Sequence, residues 1–251
     1  MSLLKIKALN KSFKANHVLR GASLELSAGD RHVIIGPNGA GKTTFVNCIY
    51  GTIPLDTGEV ILEDRAIHMM PSYKRVDLGI GRTFQKNNLF VNLTVTNNVY
   101  LALLSTKKYS MKAFKPLMLY EDVLEETDAF LKEWGMADRT DKKVNELSYG
   151  EQRVLEIILS LCSNPKILLL DEPTSGMSPS ETASTIELIK KIPRSVSIIM
   201  IEHDMDVVFS TANKITVLHH GETIMSGKPE EIRGDKMIQE IYFGGGARTH
   251  A

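Results

Sequence analysis

Only two of the 251 residues are cysteines, Cys48 and Cys162, set far apart in apolar, helix-like surroundings. No zinc-site or redox spacing is present, so reduced, buried thiols of a cytoplasmic protein are expected. Net charge is also lacking. Thirty Lys and Arg balance thirty Asp and Glu, which removes the overall electrostatic footprint of a nucleic-acid binder, and no nucleic-acid partner is expected. No apolar run reaches the roughly 18 residues of a membrane span; "KILLLD" and "VSIIMI" have the length of strands. Lys5, Lys7 and Lys11 break up the N-terminal segment, so no signal peptide is expected. Internal repeats and low-complexity segments are missing as well. What remains is a chain long enough for one large α/β domain, or a core with a subdomain. If it works at a membrane, something else must recruit it.

The patterning that is present alternates between strand and helix. "LLKIKAL", "LRGASLEL" and "RHVIIG" read as short strands, the third running directly into a Gly-rich loop. "KTTFVNCIYG" reads as the helix after that loop, closed by Gly51, and "GEVILED" as a further strand. In "EDVLEETDAFLKEW", positions 123, 124, 127, 130, 131 and 134 form one inward helical face, ended by Gly135. "KILLLDEP" and "VSIIMIEH" are buried-strand runs flanked by helices, as a parallel sheet requires. These patterns predict an α/β nucleotide-binding core over 1–86 and 164–243, an inserted helical subdomain over 87–163, and a disordered tail over 244–251.

"GPNGAGKTT" is the strongest chemical signal. It fits G-x-x-x-x-G-K-[ST] between a strand and a helix, the context the mechanism demands. In the loop Gly36, Pro37, Asn38, Gly39, Ala40 and Gly41 the glycines let backbone N–H groups wrap phosphates, and Lys42 reaches the β and γ oxygens. Thr43 can place its hydroxyl on Mg²⁺, with Thr44 beside it. Asp171 emerges at the C-terminal end of the "ILLLD" strand, where ligands of α/β sheets bind, and would hold Mg²⁺ through its water shell. Glu172 is a candidate general base or water-orienting group for hydrolysis of a γ-phosphate. Three further candidates are weak singly: Phe13 is an adenine stacker or a core residue, Gln85 a Mg²⁺ or water contact or a solvated side chain, His203 a functional group or a polar strand end.

"LSYGEQRVLEI" contains a second anion-binding signal. Ser148 and Glu151 form an S-x-x-E capping box ahead of an apolar helical run, with Gly150 between them. Most such boxes only start helices.

Taken in order, these segments resemble the nucleotide-binding subunit of ATP-binding-cassette (ABC) transporters, over residues 3–243. The resemblance implies a P-loop NTPase, RecA-like α/β core with an N-terminal antiparallel β portion and an inserted helical subdomain. Phe13 is similar to the adenine-stacking position, Gly36 to Thr44 to Walker A, Gln85 to the Q-loop, and Leu147 to Gln152 to the signature. Ile167 to Asp171 is similar to Walker B, with Glu172 as catalytic carboxylate and His203 as switch histidine. It further implies ATP and Mg²⁺ as cofactors and a head-to-tail pair of cassettes. In that pair Ser148, Gly150 and Glu151 would serve the partner's nucleotide.

Two positions depart from the family pattern. Tyr149 stands where the signature usually has its first Gly, and Ser178 stands where many members carry Asp. Ser178 and Glu181 form another capping box with Pro179 at its first helical position, so the helix start survives while an interface charge is lost. "GIGRTFQ", "LFVNLTVTNNV", "IEHDM" and "EIYFGG" look like the importer branch for branched-chain amino acids and urea. That branch implies permease subunits, a second and non-identical ATPase, and a peripheral place at the cytoplasmic face of the inner membrane. Lipopolysaccharide-export ATPases are the nearest rival. Soluble cassettes of repair or translation usually carry paired cassettes or long inserts, which are missing, and a small-molecule kinase leaves 147–152 unexplained.

Overall fold

The computed structural model describes residues 2–83, 89–107 and 120–243, with backbone only for 241–243. Two hairpin strands, β1 (Ser2–Phe13) and β2 (Asn16–Ser27), lead into β3 (Arg31–Ile35) and the helix α1 (Lys42–Tyr50). β4 (Thr57–Leu62), β5 (Arg65–Ala66), α2 (Ser72–Asp77) and β6 (Ile80–Arg82) follow. Then come α3 (Val95–Thr106), α4 (Glu121–Glu133) and α5 (Tyr149–Leu161). The chain continues with β7 (Ile167–Asp171), α6 (Pro179–Lys191), β8 (Ser197–Ile201) and α7 (Met205–Thr211). β9 (Lys214–His219), β10 (Glu222–Gly227), α8 (Pro229–Gly234) and α9 (Lys236–Phe243) complete it.

The strands form two sheets. β2-β1-β4-β5 is antiparallel, while β10-β9-β3-β8-β7-β6 is parallel except for its β9–β10 edge. Period-two alternation sorts the parallel strands' side chains onto two faces. Ile34, Ile167, Leu169, Ile199 and Ile201 pack toward the antiparallel sheet and α1, with Leu4, Leu26 and Phe45. Val33, Ile35, Leu168, Leu170, Ile198 and Met200 pack toward the helices, with Val99, Leu131 and Ile158. Both faces are covered, so these strands read as unbroken apolar runs. Truncating a side chain in either layer, such as Leu168→Ala, costs about 2–5 kcal/mol.

Several local expectations meet the structure closely. Gly51 closes α1 in the left-handed region, its N–H donating to the Asn47 carbonyl. Gly135 likewise has positive φ just beyond α4. On α4, Val123, Thr127 and Leu131 are buried. Thr127 belongs to that face because its hydroxyl donates to the Val123 carbonyl at 2.7 Å. The described elements between 89 and 163 are all helical. Gln85 and the tail 244–251 lie outside the described residues.

The sequence patterns miss three strands of the parallel sheet. β6 is only three residues long and carries Gly81 and Arg82, too short and too polar to register. β9 and β10 join through His220 and Gly221, with φ of 48° and 83°. Both turn residues are left-handed, as a two-residue hairpin needs, but His-Gly is a weaker signal than Asn-Gly or Asp-Gly.

Candidate active site

Residues 36–41 bridge β3 and α1. A Cβ on Gly36 would sit 2.1 Å from the Leu218 carbonyl oxygen of β9, so glycine alone lets the loop lie against that strand. Gly41 is the N-cap of α1 at φ 96° and supplies no side-chain cap. The N–H groups of the first turn thus have no side-chain acceptor from the cap, and the dipole of the helix favours an anion there. Lys42 is buried, and its ammonium donates to the carbonyls of Gly36 at 2.7 Å and Pro37 at 3.1 Å. Burial pushes its pKa down while Glu172 and Asp171 pull it up, with burial winning.

The C-terminal ends of β7 and β8 bring up the acidic side. Glu172 leaves the strand at φ 49°, a left-handed conformation that costs a β-carbon about 1–2 kcal/mol. Its N–H donates to the Ile201 carbonyl at 3.0 Å, which pins the residue against β8. Glu172 Oε1 lies 2.7 Å from His203 Nε2. Both side chains stay partly open, at 33% and 39% exposure, so the pair is reachable from solvent. Behind it, the buried Glu202 accepts from the Thr174 hydroxyl at 2.7 Å and from the His203 N–H at 3.1 Å. Burial raises the Glu202 pKa, and those hydrogen bonds pull it back only in part.

A cleft of about 340 Å³ unites residues 38–44 with Glu172 and His203, and with Asn16 and Val18 of β2. Asp171 lies deeper. Arg82 reaches its Oδ2 at 3.3 Å, whereas its Oδ1 is buried and has no hydrogen-bond partner among the described residues. A buried carboxylate oxygen left this way fits a cation or the water on one. No group of three or more His, Cys, Asp or Glu converges among the described residues. A metal here would therefore rely on phosphate oxygens and water, the usual coordination of Mg²⁺. Glycine cradle, uncapped helix end, buried lysine and lone carboxylate oxygen together fit a nucleoside triphosphate with Mg²⁺.

Phe13 does not line this cleft. It is 45% exposed at the end of β1, with the Lys11 ammonium 5.6 Å from its ring centre. Nor do Ser148, Gly150 and Glu151, which lie at the start of α5. The Ser148 hydroxyl accepts from the Glu151 N–H at 3.2 Å, and Glu151 returns the bond to the Ser148 N–H at 2.9 Å. Glu151 also pairs with Arg139 at 2.6 Å, so its carboxylate is engaged in holding the helix end. Across from it, Ser148 donates to Glu181 Oε1 at 3.1 Å, and Ser178 donates to Glu181 Oε2 at 2.8 Å. These bonds and the Ser178 N–H hold the Glu181 carboxyl below its ordinary range. A Cβ on Gly150 would meet that carboxylate at 2.5 Å.

Sequence reasoning misses Asn16, Val18, Arg82 and Glu202, and sees Glu181 only as a cap. Each acquires its place from a partner distant in the chain. Only "IEH" placed one of them, Glu202, beside a residue already singled out.

A family profile described as ABC transporter matches residues 19–175. The chain is 33% identical to the high-affinity branched-chain amino acid transport ATP-binding protein LivG of Salmonella typhimurium, covering 96% of this chain and 98% of that one. It is 31% identical to the lipopolysaccharide export system ATP-binding protein LptB of Acidithiobacillus ferridurans, covering 96% and 97%. Among solved structures, the ADP conformation of MJ1267, an ATP-binding cassette of an ABC transporter, superposes with a TM-score of 0.85 at 30% identity, covering 97% and 99%. A dimeric post-hydrolysis state of the cassette MJ0796 with ADP and Pi superposes at 0.76 and 25% identity, covering 90% and 98%.

Proposed function

The chain belongs to the ABC transporter family, and from that premise we propose that it is the ATPase subunit of an importer for branched-chain amino acids or related small polar solutes. It is an ATP-binding cassette and an ATP hydrolase. The Glu172–His203 pair, 2.7 Å apart in the phosphate-loop cleft, carries the hydrolytic part of the reading, and the similarity to LivG supports the importer part. Bound ATP with Mg²⁺ supplies the phosphoryl group that water attacks.

The chain's own residues do the rest. Backbone N–H groups of 38–44 would hold the phosphates, and the Lys42 ammonium, now on the loop carbonyls, would serve a phosphate oxygen. Thr43, Asp171 and Gln85 would hold Mg²⁺. Glu172 orients the attacking water and takes its proton, and His203 fixes the Glu172 carboxylate through Oε1. Phe13 stacks on the adenine, with Asn16 and Val18 as the adjoining wall.

Ser148, Gly150 and Glu151 form the seat for the nucleotide of a second cassette, which we take to be non-identical. Their separation from the cleft of their own chain and the dimeric form of MJ0796 support a shared site. The pair sits peripherally on permease subunits at the cytoplasmic face of the membrane; no described helix is long and apolar enough to cross it. In this reading 1–86 with 164–243 is the nucleotide core and 87–163 the helical signature subdomain. Similarity to LptB favours one second reading, a lipopolysaccharide-export ATPase.

The experiment is ATP binding and steady-state hydrolysis for wild type and Glu172→Gln, followed by reconstitution with the membrane proteins that co-purify. Glu172→Gln should bind ATP as wild type does and lose roughly 100-fold or more in turnover. Hydrolysis by the reconstituted complex should rise with a branched-chain amino acid and its binding protein. Comparable turnover in the variant would remove Glu172 from the mechanism, and stimulation by lipopolysaccharide instead would move the chain to the export type.

A further inference from the structure

Arg82 ends β6 as one of the few buried cations among the described residues, 8% exposed, and the hydrolytic scheme leaves it without a task. Its guanidinium forks. One Nη donates to Asp171 Oδ2 on β7 at 3.3 Å, and the other donates to Asn47 Oδ1 on α1. Its Cζ lies 5.6 Å from the Tyr50 ring centre, on the same helix. Asn47 is one turn beyond Thr43, so the fork joins the helix face that carries Thr43 to the carboxylate of Asp171.

The contact with Asp171 is one-sided. A guanidinium whose only task is a structural ion pair usually takes both carboxylate oxygens side by side. Here Oδ2 is taken and Oδ1 is left buried with no partner among the described residues. We propose that Arg82 is a positioning residue for the divalent cation: by holding Oδ2 it fixes the Asp171 carboxylate with Oδ1 toward the cation, in register with Thr43. The inference rests on the ATPase reading above. Lysine cannot do the same work, because a single ammonium on a flexible stem does not bridge two acceptors in fixed directions.

The test uses full-length Glu172→Gln protein, which removes turnover, carrying Arg82, Arg82→Lys or Arg82→Gln. Binding of a fluorescent ATP analogue is measured in EDTA and then across a Mg²⁺ titration, with thermal unfolding in parallel. Affinity in EDTA should stay within about twofold. The Mg²⁺ concentration that half-saturates the metal-dependent gain should rise about tenfold in Arg82→Gln, in the range seen when groups that orient metal ligands are removed. Arg82→Lys should lie between, and it carries the test if Arg82→Gln does not fold. A lowered melting temperature with an unchanged or reduced Mg²⁺ requirement overturns the proposal, since Arg82 would then be a structural staple or a competing cation. If the parent itself shows no Mg²⁺-dependent nucleotide binding, the ATPase reading fails first and this inference falls with it.

Discussion

Lys42 donates to two carbonyls of its own loop, which keeps a buried ammonium solvated by protein and leaves it a short swing from the cleft. Lys42→Ala should therefore weaken ATP binding about 10- to 100-fold, the equivalent of roughly 1.5–3 kcal/mol for a charge-assisted hydrogen bond. Equilibrium binding of labelled ATP checks it, and an unchanged affinity would contradict the role. Glu202 gives a pH prediction. Its folded pKa is raised, so between the ordinary carboxylate value and that raised value the folded state is protonated and the unfolded state is not. Stability must then fall as pH rises through that window and level off above it. Glu202→Gln keeps an acceptor for Thr174 and removes the titration. Its melting temperature relative to wild type should climb as pH rises above the ordinary carboxylate value and then plateau; a difference independent of pH would contradict this. At this scale the sequence exposes what is consecutive. Residues 36–44 lie in one run, and Asp171 and Glu172 end an apolar strand. Glu202 meets Thr174 across 28 residues and Arg82 meets Asp171 across 89, and no local pattern announces such pairs.

Among the elements, the starts of α5 and α6 meet through the Glu181 carboxylate. Each begins with a capping box, Ser148 with Glu151 and Ser178 with Glu181. Both boxes are legible because their four residues are adjacent. That Glu181 would reach across to Ser148 is not, since it depends on how two helices separated by β7 pack. The contact bears on Ser178, where a charge is expected in many relatives. Glu181 supplies a carboxylate beside it, bonded to both serine hydroxyls. Ser148→Arg should leave ATP affinity of the isolated chain nearly unchanged while suppressing hydrolysis in the assembled pair, because in the proposed pair the altered seat would face the other subunit's nucleotide. Binding to the isolated variant and turnover in the reconstituted complex separate the two effects. A matching loss of affinity in the isolated chain would place Ser148 at its own nucleotide instead. The missed hairpin of β9 and β10 shows the opposite limit: its strands are ordinary, but its His-Gly turn gives little warning.

For the whole molecule, the two-faced parallel sheet explains the arrangement of function. Apolar runs buried on both sides deliver the phosphate loop, Asp171, Glu172 and His203 to the C-terminal ends of adjacent strands. The helical region sets Ser148 and Gly150 elsewhere, outside that cleft. In the proposed reading the cleft and the separate seat at Ser148 would close around one nucleotide only with a second cassette. Complementary contacts made only with ATP present should leave the isolated chain mostly monomeric at micromolar concentration. The most direct measurement is light scattering on Glu172→Gln protein with ATP and Mg²⁺, alone and with the candidate partner ATPase proposed above. The account predicts a monomer alone and an ATP-dependent one-to-one complex with that partner, retaining unhydrolysed nucleotide. A chain that stays monomeric with ATP in both mixtures, or one that forms a tight homodimer and ignores the partner, would contradict it.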